Sequence, residues 1–196
     1  MLNDAPANIL ATLVHAAVYD GWLIMRNPAK LLIAVGLCLG GVLGMVGTVV
    51  ADPNLRAVSW AVDSVGLIIA TALLALHYFR ENKDLVAAGF LVYAIGEGAM
   101  LSGTAATLDA SVPAFAAGTA LWSAALLMTS VPKEFALWSR FTGVVAAVLF
   151  AIVSLRTFAG AHLTPLSSPL PFFAYPFLVL TFAGWFWKTI RSKRSE

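Results

Sequence analysis

Glu97 is the residue whose position in this sequence calls for chemistry. It lies within the apolar run from Phe90 to Met100, well inside a hydrophobic segment over 85–107 that is long enough to cross a bilayer. A charged side chain near the middle of a membrane helix costs at least ~2.5 kcal/mol on insertion scales, so it faces the protein interior, water or a partner. On a helix, Tyr93 at i−4 and Thr104 at i+7 share its stripe. Such a carboxylate either binds a proton or cation in a cavity, or is tied to a hydroxyl or Arg and fixes the packing.

Two further residues join it. Asp63 falls about two turns into the second apolar span, and Arg156 is a basic residue at similar depth near the end of the fifth. The helical neighbours of Arg156 (Leu149, Ile152 and Val153) are apolar, so its guanidinium needs an acid, with Asp63, Glu97 and the loop residue Asp109 as candidates. Arg favours carboxylates because its planar fork engages both oxygens. The expected site is therefore a charged cluster of Asp63, Glu97 and Arg156, with Tyr93 beside it.

Other polar residues read more plainly. His77 belongs at the interface, and Arg140, near the end of its span, snorkels to the headgroups. His15, His77 and His162 come from three separate regions, and no helix carries two of them at a metal- or haem-binding spacing. No metal and no cofactor are expected. There is no Gly-x-Ser-x-Gly elbow, no His-Glu-x-x-His and no phosphate loop, so no catalytic residue can be named.

These residues must be held by membrane-spanning helices. The chain of 196 residues is 60% hydrophobic and 11% charged, where a soluble domain carries roughly 25% charged residues. Its mean hydropathy is +0.87. The apolar runs are continuous over about 20 residues, matching a ~30 Å hydrocarbon core crossed at 1.5 Å per residue, and lack the alternation of a β-barrel. The net charge of +2 is spread over loops and tail and points to no nucleic-acid partner. The lone cysteine, Cys38, excludes an intrachain disulfide.

The predicted architecture is an all-α polytopic membrane bundle. Residues 1–30 form an N-terminal segment whose stretch 8–25 reads as an amphipathic interfacial helix, with a seventh span as the alternative. No Lys or Arg precedes Arg26, so the start does not read as a secretory signal. Residues 31–190 form a six-helix domain, with spans near 31–51, 58–78, 85–107, 112–131, 137–159 and 171–190. Residues 191–196 are a basic tail. Gly36, Gly40, Gly44 and Gly47 share one face of the first span, and Gly89, Gly96 and Gly103 one face of the third. Both stripes suit close helix packing, within the bundle or in a dimer. In the last span, Phe172, Phe173, Tyr175 and Phe177 at one end and Trp185, Phe186 and Trp187 at the other read as interfacial belts, and Pro176 as a kink.

Of twelve Lys and Arg residues, only Arg56 and Arg156 fall on the side opposite the C-terminus. This bias predicts a cytoplasmic C-terminus, in a bacterial cytoplasmic membrane. The expected function is that of a small transporter or channel using Asp63, Glu97 and Arg156. A non-catalytic subunit of a larger membrane complex is the alternative, and a lipid-modifying enzyme with Asp63 and Glu97 as acid and base is the third reading. Expected partners are the bilayer and, possible with it, a homo-oligomer or other membrane subunits.

Overall fold

The computed structural model describes residues 27–104 and 106–191, and these residues are all-helical. The expected interfacial helix over 8–25 and the tail beyond Arg191 lie outside the described residues. Six α-helices follow one another: α1 Pro28–Val49, α2 Pro53–Arg80, α3 Asp84–Gly103, α4 Val112–Ser130, α5 Leu137–Phe158 and α6 Tyr175–Arg191. The first five are long and apolar enough to cross a membrane. The sixth, expected from 171, has 17 residues and is preceded by a 3-10 turn, Phe172–Ala174. Pro176 therefore sits in the first turn of α6 and not in its interior, where its missing N–H removes no helical bond. It starts the helix; it does not kink it.

Helix starts follow from capping chemistry. The Asn27 side chain accepts from the backbone N–H of Ala29 and Lys30, at 3.1 and 3.3 Å, with Pro28 in the first helical position. Asp52 accepts from Leu55 N at 2.8 Å, with Pro53 next. The dipeptide Asp52-Pro53, a turn signal in sequence, thus opens α2 five residues before the expected span. At 28 residues α2 is about 42 Å long, more than the hydrocarbon core requires. Helix α3 ends four residues earlier than expected, because the backbone N–H and hydroxyl of Thr104 both turn back to Leu101 O.

Each helix packs against its sequence neighbours, and α6 closes the circle by packing against α1. The result is a ring of six antiparallel helices. Its outer surface carries Leu32, Val42, Leu76, Leu91, Ile95 and Leu155, all exposed, which is the face a bilayer would cover. Aromatic rings fill the inside. Tyr93 stacks on Trp122 with centroids 5.6 Å apart, and Trp185 meets Phe90 edge-on at 4.8 Å. Trp185 is 1% exposed, so the interfacial belt expected for it is corrected: this ring belongs to the core, while Trp187, two residues on, faces out under Arg191.

The end of the ring near Lys83 is polar. Lys83 Nζ lies 2.7 Å from both Glu81 and Glu134, linking the α2–α3 turn to the α4–α5 turn. His77 lies 3.3 Å from Glu81. The hydrogen bond from Lys83 holds the Glu81 carboxyl below its ordinary range, and the bonds to Glu134 and Glu81 push the Lys83 ammonium up. Glu81 thus adds stability at neutral pH that fades as the pH falls through its lowered range, and the Lys83 part fades in strong alkali. Arg140, expected to snorkel, instead donates to Ser130 O and Val131 O, both at 2.8 Å, closing the carbonyl end of α4.

Small residues set the helix spacing. Gly36 of α1 faces Gly66 of α2, and an added Cβ would run into Gly66 O and the Ala70 Cβ. Gly40 faces Leu67 and Gly47 faces Trp60, while Gly89 and Gly96 face α4. Gly98, by contrast, has nothing within 4 Å of a built Cβ. Gly36→Ala is expected to destabilise by about 1–3 kcal/mol through overpacking, whereas Gly98→Ala should stabilise by up to about 1 kcal/mol through helix propensity. Thermal unfolding of the two variants in detergent checks the contrast.

Candidate functional site

Where α1 ends and α2 begins, the ring is not filled. A cavity of about 380 Å³ runs inward from that end. The exposed residues Pro53, Ala106 and Thr107 among its lining mark the mouth, and Leu67, Trp122 and Phe182 form the inner part. Gly40 and Gly44 form the α1 wall, and a Cβ at Gly44 would sit 3.0 Å from Asp63 Oδ2. The absence of side chains on α1 is what leaves room.

Two carboxylates meet this space from neighbouring helices. Asp63 on α2 is half-buried and Glu97 on α3 is 1% exposed. Glu97 Oε2 accepts a hydrogen bond from Ser64 Oγ at 3.0 Å, and Glu97 Oε1 has no partner in the chain. The Tyr93 hydroxyl, one turn before Glu97, lies in the field of that carboxylate but makes no hydrogen bond of good geometry. Tyr175 reaches the cavity from α6, its hydroxyl 3.4 Å from Pro165 O in the α5–α6 connection.

Among the described residues, six buried side-chain polar atoms have no hydrogen-bond partner, and five belong to residues lining this cavity: Arg56 Nε, Asp63 Oδ1, Tyr93 Oη, Glu97 Oε1 and Trp122 Nε1. Buried polar groups are nearly always paired, and an unpaired one costs about 1–3 kcal/mol. Their convergence on one space makes this cavity the candidate site.

Arg156 does not join them. The buried stripe of α5 runs through Ala146, Phe150 and Val153, which leaves Arg156 exposed in the last turn, where it complements the helix dipole. Asp109, the alternative partner considered for it, lies 3.7 Å from His162. The arginine at the cavity is Arg56, and its guanidinium is already engaged: Nη2 donates to Val50 O at 2.8 Å and approaches Ala51 O at 3.4 Å, closing the carbonyl end of α1. Among the described residues, neither Asp63 nor Glu97 has an ion-pair partner, and no group of three His, Cys, Asp or Glu could hold a metal ion.

Sequence reading missed Ser64, Trp122 and Arg56. Ser64 follows Asp63 directly, and Trp122 lies in the middle of its span, away from the headgroups where Trp is usual; both were detectable signals. The engagement of Arg56 with a helix end was not. No known protein family, curated protein or solved structure matches this chain, so the site is read from its own geometry.

Two pairs of variants separate the contacts. Ser64→Ala should lower stability by about 1–3 kcal/mol, because it leaves Glu97 Oε2 unpaired, while Tyr93→Phe should leave it unchanged or raise it, because the hydroxyl removed had no partner. Glu97→Gln and Arg156→Met should act additively in a double-mutant cycle, within about 0.5 kcal/mol. Unfolding measurements on the single and double variants test both statements.

Proposed function

We propose that the protein is a small membrane transporter whose binding site is this cavity, with Glu97 and Asp63 receiving the charge of a cation or a proton. The observation that carries the reading is the pair of intramembrane carboxylates that, among the described residues, have no ion-pair partner. Ionisable groups inside a bundle of spans mark ion pathways and proton relays, and two acids facing one enclosed space call for a proton or cation between them. The cavity has its mouth at one end, and the aromatic cluster of Tyr93, Trp122, Phe182 and Trp185 fills the ring beyond it. A cavity open at one end supports a reading of alternating access.

The charge bias of the helix ends orients the proposal. Lys30, Arg80, Lys83, Lys133, Arg140 and Lys188 gather at the Lys83 end, which would place the cavity mouth on the outer side of a bacterial cytoplasmic membrane. The glycine face, one of several features that suit the accessory-subunit reading, packs within the chain: Gly36, Gly40 and Gly47 face α2. The lipid-modifying reading finds Ser64 beside Glu97, but among the described residues no base-oriented catalytic triad accompanies it.

The test is flux through the purified chain in proteoliposomes, driven by an imposed potential and followed for protons, alkali cations and alkylammonium ions. Wild-type protein should carry at least one of these above empty vesicles, and Glu97→Gln should reduce that flux at least tenfold. No flux for any of them, or full flux in Glu97→Gln, would overturn the assignment.

A further inference from the structure

The cavity holds more information than its charge. Its volume of about 380 Å³ lies in the range of roughly 300–1,000 Å³ typical of small-molecule sites, and is far larger than a bare ion needs. Most of its wall is carbon. Trp60, Met100, Phe115, Trp122, Tyr175 and Phe182 contribute large apolar or aromatic surfaces around the two acids.

We infer that the ligand of this cavity is a compact lipophilic organic ammonium ion, seated with its nitrogen toward Glu97 and Asp63 and its apolar body against the aromatic wall. This rests on the reading of the cavity as a cation site and names the class of cation. Three observations support it. Glu97 is fully enclosed, yet keeps one oxygen without a partner among the described residues, which suits a positive group at that depth and not at the mouth. Aromatic faces attract alkylated ammonium groups electrostatically, an attraction that grows when water is excluded. Among the described residues, no group of three His, Cys, Asp or Glu could hold a metal ion.

Among the described residues, the chain's own charges do not satisfy the site either. Ser64 from α2, Tyr93 from α3, Trp122 from α4 and Tyr175 from α6, all neutral, line the cavity with the two acids, and α1 contributes Gly40, Gly44 and Met45. Arg56, the cation among the lining residues, is held at the end of α1 by two carbonyls. A neutral apolar molecule would fill the volume but leave Glu97 Oε1 and Asp63 Oδ1 unanswered. A hydrated alkali ion would answer them but set water against indole and phenyl faces. An alkylammonium does both jobs.

The experiment compares benzyltrimethylammonium, whose charge is independent of pH, with its neutral isostere neopentylbenzene. Binding is measured on the full chain in nanodiscs by quenching of tryptophan fluorescence, since Trp60 and Trp122 line the cavity, and is corrected for partition into empty discs. The ammonium ion should bind at least tenfold tighter than the isostere. Glu97→Gln and Asp63→Asn should each weaken it at least tenfold while changing the isostere less than twofold. If Glu97→Gln does not fold, Asp63→Asn, at a half-buried position, carries the same comparison. Equal affinity for the charged and neutral compounds would overturn the inference, as would displacement of the ammonium by equimolar sodium or calcium. Selective ammonium binding without flux in vesicles would leave this inference standing and remove the transporter reading. Flux without ammonium preference would do the reverse.

Discussion

The structure depends on how a carboxylate is kept inside a ring of apolar helices. Glu97 has lost its water, and removing an ionisable group from water is costly unless protein dipoles or charges replace the hydration shell. The chain replaces half of it: Ser64 satisfies one oxygen across the α2–α3 contact, and the other is left facing the cavity residues. The surroundings accommodate that choice. Gly44 leaves room opposite Asp63, Tyr93 and Trp122 wall off the side toward the aromatic core, and the α5–α6 connection brings Pro165 over Tyr175. A methyl group added at Gly44 would sit 3.0 Å from Asp63 Oδ2 and crowd that carboxylate.

The ring closes because α6 returns to α1. In lipid the hydrophobic effect does not drive helices together, so association relies on close fit and on hydrogen bonds between them. Both are visible. Gly36 against Gly66 allows the backbones of α1 and α2 to approach, Ser123 donates to Ala147 O at 2.8 Å across α4 and α5, and Thr142 and Thr181 share a 3.1 Å bond between α5 and α6. At the Lys83 end, aromatic rings complete the filling. At the Asp52 end they stop short, and the difference in filling between the two ends is the cavity.

Helix-end chemistry explains why the acids stay without a counter-charge. Two arginines that a list of charges would assign to ion pairs are spent on carbonyls: Arg56 closes α1 and Arg140 closes α4. A helix C-terminus offers unpaired carbonyls and a partial negative charge, so a nearby guanidinium gains there without crossing into the bundle. Arg156, at the last turn of α5, is likewise turned outward. Each arginine has a local solution that costs less desolvation than reaching Glu97 would.

The amino-acid sequence alone determined the membrane class, the order of the apolar segments and the depth of Glu97 and Asp63, because the transfer of each segment into hydrocarbon is a sum over its own residues. The capped starts at Asn27 and Asp52 are local as well, yet Asp52-Pro53 reads as a turn, and both helices open before the expected spans. The sequence did not reveal which side of each span faces inward. Lipid is as apolar as a protein core, so hydropathy does not distinguish the two, and Trp185 reads the same as Trp187. Nor did it reveal that Arg156 faces away while Ser64 and Trp122 face the acids. Those assignments, and the cavity itself, exist only once six helices have packed into a ring and each has chosen the face that its neighbours allow.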